Sequence, residues 1–349
     1  MNSQLAMPTL TNQFDKFPGT RYMGSKNKII LDIWNILKDY EFKSFYDAFA
    51  GSNIVGYFMK CQGKEVFSND FMAMSYHNAK AIIENQAQQI NKSEIDFLVN
   101  HENTSNFISQ NFKDLYFSDS DNAFLDRVRT NIEFLEDDYK KSIALSALSR
   151  ACIKKRPRGI FTFIGNRYND GRKDLKDSLK KHFVNNIAIF NTAVFDNGLN
   201  NKSFNKQTQE LEINADLVYL DPPYYSPKSD NDYVRRYHFV EGLVKNWEGL
   251  EIQENTITKK FKSYQSPFSN KLKTYDEFDS LFEKFKNSTI AVSYSSNSLP
   301  TKEELTEILK GHKEYVSVHE IDHTYSFGTQ SHKIGNVNNR VKEYLFIGE

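Results

Sequence analysis

The chain has 349 residues, 39% of them apolar and 26% charged, which is the balance of a soluble globular protein with one large domain or a domain carrying an insertion. Its 45 Lys and Arg offset 45 Asp and Glu, so a uniformly basic surface is excluded and any nucleic-acid contact must come from a local patch. No apolar run reaches the roughly 18 residues of a membrane span, and Cys61 and Cys152 lie too far apart for a paired metal-ligand spacing or a disulfide framework, so neither a membrane nor a metal site is expected.

In chain order, residues 1–18 read as a polar lead-in without the apolar core of a signal peptide, which suits a cytoplasmic protein. Ile29, Ile30, Ile33, Trp34 and Leu37 recur with helical period between Lys28 and Tyr40. The short aromatic run from Ser44 to Phe49 reads as a buried strand. A loop over Ala50-Gly51-Ser52-Asn53 then enters a helix from Ile54 to Cys61, ended by Gly63. Glu65 to Asp70 reads as a second strand that finishes on an acid. Strand, glycine loop, helix, strand and acid together open a nucleotide-binding α/β unit.

Residues 71 to about 190 are polar and helical in pattern, with Ile143, Ala144, Ala147, Leu148 and Ala151 on one face of a helix from Tyr139 to Ile153. From Arg150 to Lys181 there are eleven Lys or Arg against three Asp, a local surplus of eight. Strand character returns at Ala215 to Leu220 and runs directly into Asp221-Pro222-Pro223-Tyr224. A strand from Thr289 to Tyr294, a helix from Leu299 to Lys310, and strands over Tyr315–Ile321 and Val341–Ile347 complete the pattern.

The tetrapeptide carries the most specific chemistry. Proline lacks the donor needed to continue a central strand. Two in succession force a stiff extended turn at the strand's carboxyl end, where open α/β sheets bind ligands. An exocyclic amine of adenine is a poor nucleophile because its lone pair is delocalised into the ring. Asp221 and the carbonyl of Pro222 suit the task of accepting its two hydrogens and drawing the nitrogen toward tetrahedral geometry, so that the lone pair faces a sulfonium methyl. Alignment by preorganisation then replaces a strong base or a metal. Tyr224 suits stacking on a base swung out of the duplex.

Three further features fit around that turn. In Asp47-Ala48-Phe49-Ala50-Gly51-Ser52-Asn53, Gly51 lets backbone pass close to a cofactor, with Phe49 beside it. Asp70 is placed to accept ribose hydroxyls. In Arg21-Tyr22-Met23-Gly24-Ser25-Lys26, Lys26 is a candidate partner for a cofactor carboxylate, with Tyr22 packed beside it.

In this order, the four features resemble the Dam-like, alpha-group family of site-specific DNA adenine methyltransferases, over residues 20 to about 347. Tyr225-Ser226-Pro227 and Tyr233-Val234-Arg235-Arg236-Tyr237-His238 continue the likeness. The resemblance implies a Rossmann-like S-adenosylmethionine-dependent fold of class α/β, with a mixed, mostly parallel seven-stranded sheet and a helical target-recognition insertion. It divides the chain into a catalytic domain over 19–75 and 190–349 and an insertion over 76–189. It implies cofactor contacts from Tyr22, Lys26, Asp70 and Asp221, with Asp221 to Tyr224 also holding the target adenine. Three positions depart from the pattern, the mildest being Tyr22 where the entry motif usually has a Trp. Asn53 stands where the loop usually has a second glycine, and asparagine tolerates left-handed backbone. Gln207 stands where an Asp usually touches the cofactor adenine, with Asp196 as a rival.

The implied activity is transfer of a methyl group to N6 of adenine in double-stranded DNA by base flipping. The implied setting is a restriction-modification system with a cognate endonuclease, the enzyme acting as a monomer in solution. Lys154, Lys155, Arg156, Arg158, Arg167 and Arg172, with Arg235 and Arg236 after the active-site turn, are the expected DNA contacts. The alternatives are methylation of another planar amine, in RNA or a protein amide, and a DNA-binding relative without catalysis.

Overall fold

The computed structural model describes residues 12–165, 171–225, 232–324 and 340–349. Arg167, residues 1–11 of the lead-in, and Ser226-Pro227 lie outside them. The described elements run, in chain order, α1 (Ile30–Leu37), β1 (Ser44–Asp47), α2 (Ile54–Cys61), β2 (Glu65–Asn69), α3 (Ala73–Ala79), α4 (Lys92–Asn100), α5 (Phe107–Asn111), α6 (Asp119–Ile132), α7 (Asp138–Lys155), α8 (Leu179–Ala193), β3 (Lys202–Phe204), β4 (Leu217–Leu220), α9 (Tyr233–Val244), α10 (Thr274–Lys284), β5 (Thr289–Ser295), α11 (Lys302–Lys310), β6 (Val316–Thr324) and β7 (Arg340–Gly348), with short single turns between some of them.

The strands form one seven-stranded sheet in the order β3-β2-β1-β4-β5-β7-β6. Neighbours from β3 to β5 pair parallel, and β7 runs antiparallel to both β5 and β6. This is the mixed, mostly parallel α/β sheet that the sequence implies. The chain direction of sheet building reverses between β1 and β4. Such a switch point opens a crevice outside the carboxyl ends of the two strands.

Period-two alternation sorts each strand between two cores. Phe45, Leu217, Tyr219, Ala291, Leu345 and Ile347 face one core, with α1, α2, α3, α7 and α9 over them. Tyr46, Val218, Leu220, Ile290, Val292 and Phe346 face the other, covered by Phe278, Leu281 and Phe282 of α10 and by Leu305 and Leu309 of α11. Asp216 starts β1 and β4 in register: its Oδ2 accepts the amides of Lys43 and Ser44 at 2.7 and 2.8 Å. Capping boxes at Asn91 with Glu94 and at Thr301 with Glu304 fix the starts of α4 and α11.

The apolar positions expected on one face of α7 are all fully buried, but so are Leu145, Ser146, Ser149 and Cys152 on its other sides. This helix belongs to the same continuous core as the sheet, and helices from the 76–189 stretch share that core. Three elements escaped the sequence reading, one of them α10, between the active-site turn and β5. β3 is a three-residue edge strand of mostly polar, half-exposed residues, too short to show alternation. α9 begins within the motif that follows the active-site turn and is buried from Tyr237 to Val244.

Candidate active site

A cleft opens at the switch point, the place where open α/β sheets bind ligands. It collects Tyr22, Lys26, Phe49, Gly51, Asp70, Asp221, Pro222, Pro223 and Tyr224 from four separate stretches of chain. Gln207 is not among the lining residues. It caps a short turn after β3, and Asn205 rather than Gln207 reaches back, its Nδ2 donating 2.8 Å to the carbonyl of Asp70.

Backbone strain shapes the floor of the cleft. Gly51 has φ +50°, and a Cβ there would lie 3.0 Å from the Tyr22 ring. Any side chain at this position must therefore displace an aromatic group as well as adopt left-handed backbone. Asn53 takes the left-handed conformation expected of it, φ 65°, and opens α2. Its buried amide donates to the Ser75 carbonyl at 2.8 Å and accepts from Ser68 Oγ at 3.0 Å. Those two bonds give a physical reason for asparagine where glycine would leave a void.

Asp70 is held by two backbone donors. Its Oδ2 accepts the Gly51 amide and its Oδ1 the Met72 amide, both at 2.8 Å. Burial nevertheless pushes its pKa up to about 7 against those bonds. Behind it stands Glu241 of α9, fully buried, whose carboxylate accepts the amides of Ala73 at 2.8 Å and Met74 at 3.0 Å and the hydroxyl of Tyr264. The first amides of α3 thus terminate on two acids, and α9 is fastened to the loop that presents Asp70. Glu241 was not recognised in the sequence. The available signal is an acid inside the apolar run from Phe239 to Val244.

Lys26 pairs with carboxylates of the protein itself. Its Nζ lies 2.8 Å from Asp221 Oδ1 and 2.9 Å from Glu343 Oε1, with only 7% of the side chain exposed. It therefore holds the active-site carboxylate directly. Glu343, on the buried strand β7, also accepts from Ser293 Oγ at 2.9 Å. It too escaped the sequence reading, although an acid within Val341-Lys342-Glu343-Tyr344-Leu345 is the visible cue. Burial raises the Asp221 pKa to about 6, and the Lys26 ammonium pulls against that rise.

Asp47 completes the acidic lining. Its Oδ2 accepts the Gly56 amide at 3.2 Å, while Oδ1 is buried with no hydrogen-bond partner among the described residues. Burial, followed by the Asp221 carboxylate, pushes this acid up to about 8. An orphaned buried acceptor in a cleft calls for a donor from a ligand.

An aromatic stack closes one side. The Tyr22 ring lies parallel to Tyr237 at 5.2 Å and beside Tyr233 at 5.7 Å, and the Met23 amide donates to the Tyr237 hydroxyl at 2.9 Å. Of the residues after the active-site turn, Tyr233 lines the cleft and Tyr237 orders the entry loop. Tyr224 stands edge-on to Tyr294 at 5.6 Å.

The expected DNA contacts fall elsewhere, and one of them is corrected. Arg156 is completely buried. Its guanidinium donates to the carbonyls of Ile160, Phe163 and Gly165 at 3.4, 2.7 and 3.1 Å, and it stacks over Tyr116, Phe161 and Phe163. Arg156 therefore builds the 156–165 loop from within, because a planar fork with several donors satisfies carbonyls that burial would otherwise orphan. Lys155 pairs with Asp121 at 3.2 Å and donates to the Asp177 carbonyl at 2.7 Å. Lys154 pairs with Asp174 at 3.4 Å, and Arg172 donates to the Arg156 carbonyl at 3.4 Å. Arg158 sits at φ 58° and is half-buried. Arg235 is exposed on α9, and the Arg236 carbonyl accepts the Phe161 amide at 2.9 Å, joining α9 to the same loop. No helix among the described residues is long and apolar enough to cross a membrane.

Residues 22–326 match a family described as D12 class N6 adenine-specific DNA methyltransferase. Over 96% of its length the chain is 30% identical to the Type II methyltransferase M2.HphI of Haemophilus parahaemolyticus, covering 98% of that protein. It is 30% identical to the Modification methylase StsI of Streptococcus sanguinis over 83% of this chain and 46% of that one. It is 26% identical to the Type II methyltransferase M.FokI of Planomicrobium okeanokoites over 84% of this chain and 47% of that one, so it spans about half the length of these two relatives.

Proposed function

We propose a residue-level mechanism from one premise: this chain belongs to the D12 class N6 adenine-specific DNA methyltransferase family and methylates adenine in DNA. The reaction requires a methyl donor, and we assign S-adenosylmethionine. Two observations fit that cofactor: the glycine cradle under Tyr22, and the unpartnered Asp47 Oδ1, an acceptor for a donor such as an ammonium group. Asp47, Gly51, Tyr22 and Asp70 would hold it, Asp70 keeping a lone pair on each oxygen for ribose hydroxyls. When bound, the cofactor supplies an electrophilic methyl on a sulfonium.

The observation that carries the assignment of roles is the convergence of Asp221 with Gly51 and Asp70 in one cleft. Asp221 and the Pro222 carbonyl accept the two hydrogens of the adenine amine, and the proton released on methylation passes to Asp221. Lys26, fixed by Glu343, keeps Asp221 ionised against burial and sets its rotamer. Pro222 and Pro223 hold the carbonyl in place, and Tyr224 stacks on the extruded base. Residues 19–75 and 190–349 supply this chemistry, and 76–189 contributes recognition of duplex DNA.

The names of the relatives support a role as the modification enzyme of a type II restriction system, and a DNA substrate fits action in the cytoplasm. The test is methyl transfer from radiolabelled S-adenosylmethionine to duplex DNA, RNA and protein, followed by nucleoside digestion. Label in N6-methyladenine of duplex DNA alone is expected, and label in RNA or protein with none in DNA overturns the reading. Sedimentation of the enzyme on a short duplex counts the chains that act together.

A further inference from the structure

We infer that residues 257–273 form a second DNA-binding surface, separate from the 76–189 stretch, that grips duplex backbone beside the target base. This rests on the reading of the protein as a DNA adenine methyltransferase. From Lys259 to Lys273 the sequence has five lysines and no acid. Lys262, Lys271 and Lys273 are exposed, whereas Lys259 is half-buried and pairs with Glu254. Ile257 at 75% and Leu272 at 83% are the two most exposed large apolar side chains among the described residues. Lysines around exposed apolar side chains match a duplex whose backbone is anionic and whose unstacked base faces are apolar.

The segment is rigidly seated at the mouth of the active site. Buried or half-buried aromatics alternate with its lysines. Phe261 stacks on Tyr264 at 6.2 Å, Tyr264 meets Phe71 edge-on at 5.8 Å, and Phe268 meets Phe49 edge-on at 5.4 Å. Phe71 and Phe49 both line the catalytic cleft. Ser263 Oγ donates to Asp232 at 2.7 Å, at the start of α9. A side groove lined by Pro223, Tyr233, Tyr264 and Ser266 among others runs from the active-site turn to this segment. Tyr116 links it to the opposite flank: its hydroxyl lies 2.6 Å from the Thr258 carbonyl and 3.1 Å from the Phe161 carbonyl. DNA whose adenine enters the cleft past Pro223 therefore passes over this strip.

The test compares K262Q/K271Q/K273Q with a control of equal charge change on a remote face, K38Q/K286Q/K310Q. Binding of a fluorescein-labelled duplex of mixed sequence is titrated at several salt concentrations, alongside cofactor affinity and thermal stability. Each phosphate left without its lysine should flatten the salt dependence by about 0.9 in log–log slope, so a decrease of about 2 to 3 and a weakening of at least about tenfold are expected for the first variant only. Cofactor affinity and stability should match the parent. I257S/L272S should weaken duplex binding severalfold with an unchanged slope. Parental DNA affinity in K262Q/K271Q/K273Q, or equal weakening in both lysine triples, overturns the inference. Failure of the parent enzyme to methylate any duplex would instead strike the underlying reading.

Discussion

The cleft at the ends of β1, β2 and β4 and the basic stretch from Arg150 to Lys181 are both crowded with charge, and they resolve it in opposite ways. In the basic stretch the cations are answered locally: Lys155 by Asp121, Lys154 by Asp174, and Arg156 by three carbonyls and three rings. In the cleft, the Lys26 ammonium pairs with Asp221 and Glu343, Asp47 keeps an oxygen without a partner among the described residues, and burial lifts Asp47, Asp70 and Asp221 to about 8, 7 and 6. Charge that the fold has satisfied serves architecture. Charge left wanting a partner marks where a ligand binds. A count of basic residues along the sequence does not separate the two cases.

The sharpest contrast is expected from replacing one residue of each region. Asp221→Ala should lower single-turnover methyl transfer by at least about 10³-fold at saturating cofactor and DNA, the scale of losing a preorganised acceptor at the reacting centre. The fold should persist, as judged by an unchanged thermal midpoint, and retained turnover would remove Asp221 from the chemistry. Arg156→Ala should do the reverse. Loss of the guanidinium orphans buried carbonyls and should cost about 2–4 kcal/mol in denaturant unfolding, while the salt slope of DNA binding stays parental. A flattened slope without destabilisation would restore Arg156 as a phosphate contact.

A smaller effect is expected from Glu241→Gln, which keeps the size of the side chain but weakens the acceptor for Ala73, Met74 and Tyr264. The cofactor dissociation constant should rise by about tenfold through the loosened Asp70 loop, with turnover at saturation changed less than twofold, a cost near 1.4 kcal/mol. Equal loss in both constants, measured by calorimetry and steady-state kinetics, would break the positioning role. Lys26→Met should shift the rise of turnover with pH. In the parent that rise should centre near 6, where Asp221 ionises. In the variant it should move upward, because burial then acts unopposed, and an unmoved profile would dissociate Lys26 from Asp221.

The smallest effect is on stability. An acid whose folded pKa is raised holds its proton longer in the native state than in the unfolded chain. Its contribution is present below the unfolded value and lost as pH rises through the folded one. For Asp47 that window runs from its ordinary value near 4 up to about 8. Asp47→Asn should therefore raise the thermal midpoint of the cofactor-free protein by a few degrees at pH 9 and leave it nearly unchanged at pH 4, while weakening cofactor binding. A destabilised variant at pH 9 would show that Asp47 is held by something other than burial.

The tetrapeptide Asp221 to Tyr224, the loop at Gly51 and the acid at 70 were legible as chemistry because each is a local device. Proline pairs stop strands, glycine permits close approach, and strand-terminal acids cap the next helix, all within a few residues. The order of strands and helices was legible for the same reason, since hydrophobic period depends on neighbours in the chain. β3 was not, because the three residues Lys202, Ser203 and Phe204 at a sheet edge are too few to show a period.

What only the tertiary structure decided was partnership. Lys26 with Asp221 and Glu343, Glu241 with the amides of α3, and Arg156 with its own loop join residues distant in sequence or packed out of solvent. The strength and sign of their effects depend on burial, which the sequence does not contain. Low dielectric converts an ordinary aspartate into one that titrates near neutrality and an ordinary arginine into a core residue. The sequence determined which functional groups the protein has. The packing of α9, β7 and the 156–165 loop around them decided which are spent on the fold and which remain for the reaction.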